Sequence, residues 1–416
     1  AAATVTQSAA LTATGATGGS LKITAVDDVT LQTAGNDVAK VAANITTAGK
    51  FFKYSDTNAV AIDTVAAAGT LTAPSTTVAT QAAMSGITTS GGTVSLSAGD
   101  ALTVNSGITA GAITLKANQD GVGAERFIQK DDTTIRGTEI KITVNTGDGT
   151  GTGGAEVSNI TASGALAIAT NNTLNTAGGS ITRTATSSTL SGATSVSLIT
   201  GTGSIGASGT EINLAAGQTG VVATTHGTGN IYLRDEGALT LGAITTAGGL
   251  VDIATAAAPG TLGSISLSGN ISAGGGKINL DAGDGSGDID GAYTLDGNTI
   301  ILHANTVGIS QEPTLGTLVE FVNLDADGKS GGVSARFLGP SGAIINFTAS
   351  KAPGSILFNG SIVGGENKVA YDEALAAVQQ VQTAYAQVER LQEQQKYEEF
   401  FGKAPKEYMG EYIPFQ

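Results

Sequence analysis

Apolar and polar residues alternate in short runs through most of the chain. Such runs begin at Val94 (VSL), Ile113 (ITL), Ile212 (INL), Ile231 (IYL), Val251 (VDI), Ile265 (ISL), Ile278 (INL) and Ile300 (IIL). Alternation of this kind places two aliphatic side chains on one face of an extended strand and the residue between them on the other. The linking segments, such as SAGD, NSG, TAGG and SGN, are rich in Gly, Asn, Asp and Ser. Those residues supply the left-handed backbone and the local side-chain bonds that tight corners need. Nineteen residues separate Val94 from Ile113, 19 separate Ile212 from Ile231, and 20 separate Ile231 from Val251. Repetition at one such interval predicts an all-β chain wound as a solenoid, with three short strands per coil and coils stacked in parallel.

Three segments break the pattern with aromatic and charged residues. They are FFKYSDTN (51–58), ERFIQKDDTTIRG (125–137) and SQEPTLGTLVEF (310–321). Each is expected to be a loop or irregular coil projecting from the shaft, where insertions in repeat proteins usually fall.

The pattern changes after Glu366. The segment NKVAYDEALAAVQQVQTAYAQVERLQEQQKYEEFF (367–401) contains no glycine. Its residues Tyr371, Ala374, Val378, Val381, Tyr385 and Val388 recur in steps of three and four before Gln392 and Gln395. That is one apolar face of a long helix. Gly402 and Pro405 are stop signals, and KEYMGEYIPFQ reads as an extended aromatic tail. The predicted organisation is a β-solenoid body over 1–365, an amphipathic α-helix over 366–402 and a tail over 403–416.

The body resembles the right-handed parallel β-solenoid exoproteins of the filamentous haemagglutinin type, which bacteria export by two-partner secretion. The resemblance lies in the repeat style of GGSLKITAVDDVTLQTAG, GGTVSLSAGDALTVNSG and GSISLSGNISAGGGKINLDAGDGSGDIDG. It implies a right-handed parallel β-helix and an extracellular or cell-surface location on a bacterium. Members of that family begin with a secretion domain carrying Asn-Pro motifs, and this chain has no Asn-Pro pair. The departure implies that such a domain has been removed upstream or that another export route is used.

Composition explains how a body so poor in bulk could fold. Aromatic residues are 4% of the chain, tryptophan is absent, and there are 60 glycines. Small aliphatic side chains fill a narrow interior that receives them from every wall. A helical body is excluded because glycine recurs every few residues, each costing roughly 1 kcal/mol in a helix interior. The net charge of −15 opposes binding to nucleic acid. No apolar run reaches the ~18–20 residues of a membrane helix, so no transmembrane segment is expected. The start, AAATVTQSAA on Ala1, has neither a basic nor an apolar signal region, and processing of a leader is the expectation. Cysteine is absent, which excludes disulfides and thiol chemistry.

Candidate chemistry is sparse. His226 and His303 are the only histidines and stand far apart in sequence. The acidic run LDAGDGSGDIDG holds Asp281, Asp284, Asp288 and Asp290. It is the one calcium candidate, through hard oxygen ligands, although it matches neither an EF-hand loop nor a calcium-binding nonapeptide. Lys130, Asp131, Asp132 and Arg136 form the dense charged cluster of the body. No catalytic set or cofactor motif emerges, and the leading expectation is a structural, non-enzymatic role as a homopolymer. In that reading Tyr371, Val378, Tyr385, Val388, Phe400, Phe401, Tyr408, Tyr412 and Phe415 anchor one protomer on the next. The alternatives are an adhesin shaft that binds a cell-surface glycan or host receptor through its loops, and a polysaccharide-degrading β-helix enzyme.

Overall fold

The computed structural model describes residues 4–13, 19–67, 71–73, 76–78, 82–145, 150–171, 178–255, 263–282, 288–291, 295–296, 299–304, 306–309, 318–320, 333–338 and 344–349. The predicted helix and tail, with every proposed assembly anchor from Tyr371 to Phe415, lie outside these residues. Among the described residues every helix or strand is a β-strand. Nearly all of them belong to two long sheets whose strands pair almost entirely in parallel, consistent with a β-solenoid.

In the first sheet, successive strands come from successive passes of the chain. Val29 pairs with Phe52, Phe52 with Val94, Val94 with Ile113, Ile113 with Ile140, Ile140 with Leu166, Leu166 with Val196 and Val196 with Val221. Two residues on, Leu31, Tyr54, Leu96, Leu115, Ile142, Ile168 and Leu198 form a second column in the same register. Both columns are buried because every second side chain points inward. At ~4.8 Å per rung, the first sheet from Val5–Thr6 to Thr306–Ile309 stands about 60 Å tall.

A single pass shows how a coil is built. Val94–Ala98 lies in the first sheet, Leu102–Val104 and Ile108–Thr109 lie in the second, and Ala112–Ala117 returns to the first. Three strands therefore fit in this interval, as predicted. The interval itself is not constant. Ile140 follows Ile113 by 27 residues, and Val196 follows Leu166 by 30. The extra residues lengthen corners and leave the strands in register.

One predicted spacing is in the wrong register. Ile231 does pair with Val251, but Ile212 pairs with Leu233. The residue beneath Ile231 is Ile205, which makes isolated bridges to both Ile181 and Ile231.

Two of the three segments expected to project are instead part of the wall. Phe52–Asp56 is a strand of the first sheet, with Phe52 and Tyr54 fully buried. Phe127–Gln129 and Thr134–Gly137 are strands of the second, leaving only residues 125–126 and 130–133 of this segment outside strands. Phe127 fits because its partner in the next rung is Ala155, so a large side chain stacks on a small one. Of the third segment, the described part is Leu318–Glu320, antiparallel to Val333–Leu338.

Antiparallel elements also interrupt the coils. Thr64–Val65 pairs with Met84–Ser85, and Leu71–Ala73 pairs with Thr76–Val78, within the 42-residue interval from Phe52 to Val94. Ile344–Ala349 pairs in parallel with Thr299–Ala304 and antiparallel with Val333–Leu338.

Candidate functional site

The corners that follow the first-sheet strands from Ala112–Ala117 onward form a regular polar feature of the body. After Ala112–Ala117 and Glu139–Val144 the corner is built on asparagine. Asn118 and Asn145 are both buried and adopt positive φ of 53° and 65°, a backbone region asparagine tolerates better than most residues. Asn118 Nδ2 donates to Asn145 Oδ1 at 2.7 Å, and Asn145 Nδ2 donates to the Gly153 carbonyl at 3.0 Å.

In later rungs threonine takes over. Thr170 Oγ1 donates to the Gly179 carbonyl and Thr200 Oγ1 to the Gly203 carbonyl, each at 2.6 Å. Thr225 and Thr246 both donate to the Gly229 carbonyl, at 3.0 and 2.8 Å, and Gly249 N donates to Thr246 Oγ1 at 3.0 Å. Each buried hydroxyl thus satisfies a carbonyl that the turn withdraws from the sheet ladder.

The glycines opposite these threonines stack directly on one another. A Cβ added to Gly203 would meet the backbone of Gly179, one on Gly229 the carbonyl of Gly203, one on Gly249 that of Gly229, and one on Gly276 that of Gly249. Close backbone approach is the reason for glycine here. The arrangement holds successive coils in register at this corner. Its chemistry is structural.

Two carboxylates are buried at strand ends, Asp56 at a first-sheet corner and Asp235 at the end of a second-sheet strand. Asp56 accepts from Tyr54 Oη at 2.5 Å, Val38 N at 3.0 Å and Asn58 N at 2.9 Å. Asp235 accepts from Gly237 N at 2.7 Å, Gly217 N at 3.1 Å and Gln218 N at 3.2 Å. Burial pushes both carboxyl groups above the ordinary aspartate range, despite these bonds, and the charges of Asp37 and Glu236 add to the effect at Asp56 and Asp235 respectively. On the surface, the hydrogen bond from Lys50 Nζ at 2.7 Å pulls Asp27 the other way.

The sign of the resulting pH dependence follows from proton linkage. A carboxyl whose folded pKa is raised binds more protons in the folded state between its unfolded and folded values, so stability falls as pH rises through that window. A lowered carboxyl such as Asp27 contributes stability that is lost only as pH falls below the ordinary range. We therefore expect the melting temperature to rise when pH is lowered from 7 towards about 4, the ordinary aspartate value, and to fall at lower pH. Asp235→Asn should shrink the rise in thermal melts across this range; an undiminished rise would remove Asp235 from the explanation.

The calcium candidates lie only partly within the described residues. Asp281 ends the second-sheet strand Lys277–Asp281, whereas Asp288 and Asp290 belong to the first-sheet strand Asp288–Gly291. Asp284 lies outside the described residues. Among the described residues no three His, Asp or Glu side chains converge as a metal site would require. His226 sits at a first-sheet corner, its backbone N donating to the Thr200 carbonyl at 3.1 Å, and His303 lies in the second-sheet strand Thr299–Ala304, in register with Asp281.

Lys130, Asp131 and Asp132 occupy the turn between two strands, with Asp132 at φ 62° and Thr133 Oγ1 donating to the Lys130 carbonyl. Arg136 points outward from Thr134–Gly137. That cluster is a solvated turn and strand face.

The asparagine and threonine corners were not singled out by the sequence pattern. Their signal is a Thr or Asn at the end of an alternating run and two to nine residues before the glycine it bonds, which is hard to separate from the many outward-facing threonines. Comparison with protein-family models, curated proteins and solved structures finds no match to this chain. No helix among the described residues is long and apolar enough to cross a membrane.

Proposed function

We propose that this chain is the structural protomer of an extracellular bacterial surface filament, a right-handed parallel β-solenoid rod joined head to tail through its C-terminal helix and tail. The observation that carries this reading is the pair of buried columns running unbroken from Val29 and Leu31 to Val196 and Leu198. Stacking in parallel gives the rod two different ends, and unpaired strand edges at such ends invite another chain unless they are covered. Contact between unlike ends is heterologous and propagates as a fibre. The heptad face from Tyr371 to Val388 and the aromatic tail supply a segment that covers the end of the next rod. In this role the body works mechanically, and the buried Thr and Gly corners keep its coils aligned.

Removing residues 367–416 tests the reading. The truncated chain should keep its β-sheet circular dichroism and lose all fibres in negative-stain micrographs. Fibres that persist at normal length would exclude the C-terminal segment as the joint. Binding of the body to a glycan array without assembly would favour the adhesin alternative.

A further inference from the structure

The outward residues of the first sheet change character along the stack. On the strands Phe52–Asp56, Ala112–Ala117 and Glu139–Val144 they include Lys53, Lys116, Glu139 and Lys141. Over the next five rungs, from Ala165–Ala169 to Ile265–Leu267 with Ile271–Ser272, no outward residue of a strand is charged. One outward row runs Ala167, Ser197, Val222, and its neighbour runs Ala169, Ile199, Thr224, Thr245, Ser272. The face begins abruptly, because Lys141 stands beside Ala167; at the other end the backbone register joins Ser266 to Asp290 and Ser272 to Asp296.

The residues of this face are small or β-branched, and the register shifts beside Val222, where Leu241 to Ile244 spans one residue more than Val221 to Ala223. Gly242 stands against Val222. A Cβ there would sit 2.6 Å from Val222 Cγ1. The outward positions of these rows are partly exposed to solvent.

We propose that this face is where a second copy of the chain docks laterally, sheet against sheet. Charge selects the occupant. Two copies that each carry −15 repel one another, so lateral contact between copies is least opposed where both surfaces are neutral, as they are here. Small alternating side chains allow two such faces to meet in a dry contact. Size sets the consequence. Five rungs at ~4.8 Å and strands about 17 Å wide give roughly 400 Å² per copy, about half of the ~800 Å² per partner typical of stable complexes. A lone pair of rods therefore associates weakly, and rods joined end to end associate strongly, because the same face recurs along each fibre. In its strength, though not in its location, this inference rests on the filament reading.

The chain has no cysteine, so Thr224→Cys places a single thiol at the centre of the face. Thr114→Cys places one on the same sheet beside Lys116 and Lys141, as a control. Both positions point outward, and circular dichroism confirms that each variant of the full chain is folded. A short bismaleimide should give several-fold more covalent homodimer with Thr224→Cys than with the control, and adding Ser197→Glu should abolish the excess. Equal yields, or an excess that survives Ser197→Glu, would overturn the proposal. Selective cross-linking without fibres keeps the lateral face and removes the end-to-end reading; fibres with equal yields do the reverse.

Discussion

Ile142→Asp is expected to unfold the middle of the body. Ile142 is fully buried and stacks between Leu115 and Ile168. The substitution removes an aliphatic side chain and leaves a carboxyl with no partner, two mechanisms that place the loss in the range above ~4 kcal/mol. Because each coil touches only its neighbours, the damage should begin locally. Amide exchange should accelerate first in Ala112–Ala117 and Ala165–Ala169, while Ile231–Asp235 and Val251–Ala254 stay protected. Ile142→Val serves as the control, with an expected cost of about 1 kcal/mol. A melting profile unchanged by Ile142→Asp would mean that the column is not the core.

Gly229→Ala is expected to cost ~3 kcal/mol, the upper part of the range for overpacking. Its new methyl would land on the Gly203 carbonyl. The backbone must move, and the bonds that Thr225 and Thr246 donate to Gly229 weaken with it. Gly275→Ala is the matched control, since a Cβ there meets nothing within 4 Å. Denaturant titration of the two variants separates close stacking from a general preference for glycine. Equal midpoints would contradict the glycine ladder.

The alternating runs made the wall of this protein legible in its sequence, and the step from Val94 to Ile113 was a true register pair. Bulk misled where period should have decided. In FKYSD the inward positions are Phe52, Tyr54 and Asp56, and Lys53 and Ser55 point out, the same alternation as in VSLSA. Its aromatic and charged residues suggested a loop, yet the wall accommodates Phe52 and Tyr54 between the smaller Val29 and Leu31 of one rung and Val94 and Leu96 of the next. The slip at Ile212 has a different origin. Ile205 lies among glycines and serine in GTGSIGASG and carries no alternation of its own, although it fills the column beneath Ile231. The neutral face could not be read from the sequence at all, because rows such as Ala169, Ile199 and Thr224 exist only once the register joins residues 25 to 30 positions apart.

The central claim is that the body is a stacked parallel rod that continues from one copy into the next. Electron cryo-microscopy of the full chain tests it most directly. Continuous fibres with a strand spacing of ~4.8 Å along the fibre axis are the predicted result. Isolated rods about 60 Å long, or fibres whose strands run along the axis, would contradict it.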